Sequence, residues 1–185
     1  MKIICLAFLA LVSISSISLT QTDRYQTRTG SISFEASVPT FEPIKAVNKS
    51  TTVVLDMKTG NIAALALIKG FRFPVALMQE HFNENYIESD DYPKAVLKGT
   101  LTDFDANRFS QNTSSTFILN GTLELHGKKE VISIPVLLSK SGDQIQLESN
   151  FNLQPADFNI EIPSVVSNKI AQEVQVSVNA MLSKK

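Results

Sequence analysis

Along residues 144–153 the chain alternates strictly, with Ile145, Leu147, Ser149, Phe151 and Leu153 set against Gln144, Gln146, Glu148, Asn150 and Asn152. Successive side chains of an extended strand point to opposite faces, so this stretch predicts a strand with one oily and one wet face. Seven other segments read as strands. Ile32, Phe34 and Ala36 mark a first strand, and Val53, Leu55 and Met57 a second. Residues 62–69 form a third, apolar on both faces and therefore expected to be covered, and a fourth runs from Lys94 to about Asp105. Phe117, Leu119, Leu123 and Leu125 belong to a fifth, and residues 130–139 to a sixth. After the seventh, described above, Ile170, Val174, Val176, Val178, Ala180 and Leu182 define the eighth.

Turn residues separate these strands where hairpins need them: Thr59, Gly60 and Asn61; Gly127 and Lys128; Ser141, Gly142 and Asp143. The order is therefore locally antiparallel. Asn120 and Gly121 resemble another turn, but the apolar face continues in phase across them, so a bulge or kink inside one strand is expected. Between strands three and four the period changes. Pro74 suits the first turn of a helix, and Val75, Met78, Phe82 and Tyr86 follow at spacings of three and four. One helix is predicted there, covering an end or side of the sheet. Pro155 and Pro163 bracket an irregular connection between strands seven and eight.

With no internal repeat or second composition regime, one all-β domain accounts for the chain. Eight antiparallel strands can close into a barrel, which removes unpaired edges, or stack as a sandwich. The first and last strands are both long and amphipathic, as closure requires, which favours the eight-stranded barrel with its one helix between strands three and four.

The amino terminus changes the setting. Lys2, an apolar run at residues 3–12 and small polar residues at 13–20 have the order of an export signal. The run is too short to span a bilayer, which takes about 20 apolar residues. Residues 1–20 are expected to be removed near residue 19 to 21, leaving residues 21–185 as a soluble domain, periplasmic or secreted. Cys5, the only cysteine, would leave with the signal, so neither disulfides nor thiolate chemistry can serve the mature protein. Without Lys2 the balance is 16 basic against 18 acidic residues, a net charge of −2, which offers nucleic acid no basic field. Asn-x-Ser/Thr triplets at Asn48, Asn112 and Asn120 arise readily by chance and carry no weight.

Candidate chemistry is sparse. His81 and Glu84 stand at i and i+3, but a metal site needs three or four ligands and the others are missing. No nucleophile elbow, phosphate loop or paired inward carboxylates are present, so neither enzymatic activity nor a cofactor is expected. His126 and Asp157 read as local hydrogen-bonding residues. Inward positions mix small residues (Ala36, Ala64, Ala66, Ser149, Ala180) with Phe34, Phe117 and Phe151. That mixture fits an elongated slot or a solid core of alternating large and small residues, and periodicity does not separate the two.

Three stretches carry a resemblance. HFNENYIESDDYPKAVLKGTL (residues 81–101) is similar to the N-Y-x-E-S and Tyr-Pro strand entry of YceI-like proteins. GTLELHGKKEVISIPV (121–136) resembles their G-x-L-x-x-H-G hairpin, and ADFNIEIPSVVSNKIAQEVQVSV (156–178) their Asp-Phe-Gly-Ile loop and final strand. Asn159 replaces the glycine of that loop, and Asn tolerates positive φ better than most residues. The resemblance implies a lipocalin-like barrel whose apolar interior holds a polyisoprenoid or other long-chain lipid; a transient membrane contact is compatible with such a ligand. Phe34, Leu55, Leu65, Met78, Phe82, Phe117, Leu119 and Phe151 are the residues expected to touch that ligand, the helix at Met78 and Phe82 serving as wall or lid. Lys69, Arg72, Lys94, Lys98, Lys128 and Lys129 are candidate partners for an anionic headgroup. The alternative is a non-catalytic structural or stress-related module with a filled core and partners outside.

Overall fold

A computed structural model describes residues 23–37, 43–163 and 170–185; the expected export segment, its cleavage point and Cys5 lie outside them. Eight strands form one closed antiparallel barrel in sequence order: β1 (Arg24–Ser37), β2 (Lys45–Asp56), β3 (Asn61–Leu67), β4 (Lys94–Leu101), β5 (Ser115–Leu125), β6 (Lys128–Ser141), β7 (Gln144–Leu153) and β8 (Ile170–Lys184). Closure is made by β8 against β1, with Phe34 opposite Val176 and Ile32 opposite Val178. Apolar alternation on both strands puts their oily faces on one side of the ladder, which fixes the register and turns that face inward. The outer face is polar along most strands, as on β7, the reverse of a barrel that spans lipid.

Several local expectations are corrected. β3 stops at Leu67, and Ile68–Gly70 make a 3-10 turn. Its outward residues Ala63, Leu65 and Leu67 stay exposed rather than covered. β4 stops at Leu101, short of Asp105, because Asp105 accepts the Asn107 N–H and caps the 3-10 turn Ala106–Arg108. At Asn120 and Gly121 no residue is inserted, since β5 keeps continuous register with both β4 and β6. Gly121 faces Gly99, and a Cβ on Gly121 would lie 2.4 Å from the Lys98 carbonyl oxygen, so the pair permits close strand approach instead. Register shifts occur around Gly30 and again between Glu35 and Ser37 on β1, which the alternation did not mark. The predicted helix is α1 (Ala76–His81), which runs on into a π turn at Phe82–Tyr86; Pro74 stands two residues before it rather than inside its first turn.

The interior divides into two clusters. At the end where β5 and β7 begin, Leu55, Leu101, Phe109, Phe117, Leu138 and Leu182 are almost fully buried. The loop after β4 folds Phe104 and Phe109 beneath the barrel, with Phe104 5.4 Å and the Arg108 guanidinium 4.7 Å from the Phe117 ring centre. This end is solid. At the other end Ala46, Ala66, Ile68, Phe71 and Ile87 pack under α1 and its π turn. There β2 and β3 diverge, and the gap is closed by a mutual backbone pair between Val47 and Arg72 and by Asn48 Nδ2 donating to the Leu67 carbonyl at 2.9 Å. Asn48 is fully buried, so its triplet cannot accept glycan in the folded protein.

Candidate functional site

Between the two clusters lies an internal cavity of about 470 Å3. Its emptiness follows from side-chain size. Ala36, Ala64, Ala66 and Ala95 occupy inward positions where the solid end has Leu or Phe. Inward residues of the hollow half, such as Leu97, Phe151 and Val178, remain partly accessible although they face the barrel axis. Four phenylalanines from three segments cluster on one wall: the Phe34 ring lies 5.4 Å from Phe71 and Phe82 and 5.7 Å from Phe73, with Phe73 and Phe82 5.1 Å apart. Edge-to-face and tilted ring contacts hold such a wall without polar groups.

Among the described residues, three with polar side chains line it: His81, Tyr86 and Ser149. Ser149 already donates its hydroxyl to the Pro135 carbonyl. No lysine or arginine lines the cavity among the described residues. The cations considered for a headgroup are engaged elsewhere or turned outward. Lys69 pairs with Asp90, Lys128 with Glu130 at 2.9 Å, and Arg72 donates to the carbonyls of Lys69 and Phe71. An apolar slot of this kind binds by taking hydrocarbon out of water, and among the described residues it offers a charged group no lysine or arginine, only the donors of His81 and Tyr86.

Of the eight residues expected at the ligand, Phe34, Met78, Phe82, Leu119 and Phe151 reach the cavity from the inner face, and Met78 and Phe82 do so from the α1 segment. Leu65 borders it from the outward parity of β3 and is 37% exposed. Leu55 and Phe117 point inward too, but they stand in the solid end outside the lining. Sequence reading missed Phe71 and Phe73, and also Phe158, Ile160 and Ile162 from the connection after β7. Both sets alternate, F-R-F and F-N-I-E-I, and that period was the available signal; the flanking prolines and short length concealed it.

His126 joins the three resemblance stretches into one node. Its Nδ1 donates to the Phe158 carbonyl at 3.0 Å, its Nε2 lies 2.8 Å from a carboxylate oxygen of Glu88, and Tyr92 stacks edge-on with ring centres 4.3 Å apart. Both ring nitrogens face oxygen atoms. Glu88, His126 and Asn159 all have positive φ, at 46°, 50° and 57°. The node thus ties the segment after α1, the β5–β6 hairpin and the turn Pro155–Phe158 together, and Asn159 does adopt the left-handed conformation expected of it.

None of the curated proteins matches the chain by sequence. Solved structures share its fold at low identity. A polyisoprenoid binding domain from Saccharophagus degradans, implicated in plant cell wall breakdown, superposes with a TM-score of 0.75 at 15% identity, covering 89% of this chain and 99% of that one. Burkholderia cenocepacia BcnA gives 0.68 at 16% identity, covering 84% and 96%. The YceI protein of Campylobacter jejuni gives 0.58 at 13%, covering 74% and 81%. The model of the YceI-like domain matches residues 12–182. Barrel, node and sequence pattern therefore agree, and the chain belongs to the YceI-like domain family.

Proposed function

We propose that this protein is an exported, non-catalytic carrier that shelters the hydrocarbon of an isoprenoid-type lipid with an uncharged headgroup. The observation that carries the reading is the apolar cavity, built on a solid floor and lined by no cationic side chain among the described residues. Burial of a tail is worth about 25 cal/mol per Å2 of apolar surface, so a chain gains affinity without directional contacts. A phosphate or carboxylate carried inward would lose its hydration with only the donors of His81 and Tyr86, and no lysine or arginine among the described residues, to offset the loss. The polyisoprenoid-binding relative supports the isoprenoid class. Export to the periplasm or medium is supported by the order of residues 1–20, and a brief membrane contact would supply the lipid. The structural-module alternative needs a filled interior, which the cavity disfavours.

Native mass spectrometry of protein purified from its own host tests the carrier, with an apolar adduct expected and repeated recovery of bare protein counting against it. Titration with an isoprenoid alcohol and its monophosphate tests the headgroup. The alcohol is expected to bind more tightly; a preference for the phosphate would overturn the uncharged assignment. Amino-terminal sequencing of protein recovered outside the cytoplasm tests export, with a start near residue 19 to 21 expected.

A further inference from the structure

The barrel wall is not laced by backbone bonds along its whole height. β6 and β7 pair only over residues 137–141 and 144–148. Beyond that point β6 pairs only with β5, and β7 only with β8. Pro135 stands at the fork, where a residue lacking an N–H sacrifices no ladder bond. A groove of about 240 Å3 follows the fork on the outside, and Ile134, Leu153 and Phe158 line both that groove and the internal cavity. Here side chains alone separate inside from outside. The corresponding divergence of β2 and β3 is sewn shut by the Val47–Arg72 backbone pair.

Phe158 fills the gap and is 1% exposed. It ends the turn Pro155–Phe158, and its carbonyl is held by His126, which does not line the cavity. On the carrier reading given above, we propose that the lipid enters and leaves through the β6–β7 fork, with Phe158 as the stopper and the His126–Glu88 pair as its latch. Swinging the turn aside breaks the His126 bond to the Phe158 carbonyl and uncovers the Phe158 ring and Pro155, while every ladder bond stays intact. Val131, 86% exposed on the groove wall, offers hydrocarbon a first apolar contact. Glu130, Asp157 and Glu173 also line the groove, so an uncharged lipid passes it more readily than an anionic one.

Stopped-flow uptake and release of retinol, a fluorescent isoprenoid alcohol, separates a passage from a wall. His126→Gln is expected to raise association and dissociation rates together by about tenfold, with Kd within about threefold of wild type, because the latch holds the route and not the bound tail. In a Ser133→Cys/Asn152→Cys protein, bridging the two sides of the groove with a bifunctional maleimide is expected to slow loading at least about tenfold relative to the same protein with each thiol capped singly. Loading at an unchanged rate in the bridged protein, or a His126→Gln variant that only dissociates faster, would overturn the route. Wild-type protein that takes up no retinol would sink the carrier reading itself, and the passage with it.

Discussion

Replacing Ala64 by phenylalanine tests whether the hollow is real and whether ligand occupies it. Ala64 faces the barrel axis, lines the cavity beside the solid end, and pairs with Val53 and Leu97 across its two ladders. A buried phenyl side chain covers at least about 150 Å2. A tail deprived of that much contact forfeits ~25 cal/mol per Å2, or about 4 kcal/mol, close to three decades in Kd. The fold should respond in the opposite sense. In a filled core the added ring would cost about 1–3 kcal/mol in strain, whereas a ring entering empty space recovers a similar amount by burial. Fluorescence titration with an isoprenoid alcohol should therefore show binding weakened by about a thousandfold, and thermal unfolding should show Tm unchanged or raised. A clear fall in Tm would mean that the space is not there. Unchanged affinity in a stable variant would mean that the tail lies elsewhere.

Other perturbations address the frame. Phe117→Ala, in the solid end, should cost about 3–5 kcal/mol in urea unfolding; a loss below 1 kcal/mol would refute the packing described for that end. Gly127→Ala combines φ of +72° with a Cβ placed 2.6 Å from the Tyr92 ring. It should lower stability by at least about 1–2 kcal/mol, and a neutral outcome in calorimetry would deny that the node is rigid. Asp56 caps the β2–β3 turn, and the Lys58 backbone N–H, with smaller contributions from Thr59 and Arg24, holds its carboxyl below the ordinary value against an opposing effect of burial. A carboxyl depressed in the folded state adds stability that is present above its unfolded value and lost as pH falls through the folded one. Asp56→Asn should therefore flatten the acid limb of the Tm-versus-pH curve slightly below pH 4; parallel curves would contradict the assignment.

Strand number, antiparallel order and inward faces were legible because a period of two survives wherever one side of a ladder is buried. β7 is the clearest case: the five alternating positions read from the chain, four apolar residues and Ser149, all face inward. The helix was legible from Met78 and Phe82, although its π continuation depends on packing over Ile87 and Phe71 that no spacing records. Element ends were poorly legible. Whether residues 102–105 extend β4 or turn beneath the barrel is decided by the Asp105 cap and by Phe109 finding Phe117, a contact across the fold. Cavity depth was illegible for the same reason. Leu55 and Leu119 have the same inward parity, yet one belongs to the plug and the other also meets empty space, because height within a barrel depends on strand stagger rather than on alternation.

The separation of the plugged end from the hollow end gives the molecule a division of labour. Among the described residues, the larger buried cluster fills the plugged end and reaches up to the cavity, so much of the packing lies where no ligand is needed to complete it. With its cavity empty the barrel still rests on that packed end, and substitutions around the hollow can change its volume while the scaffold below them is left alone.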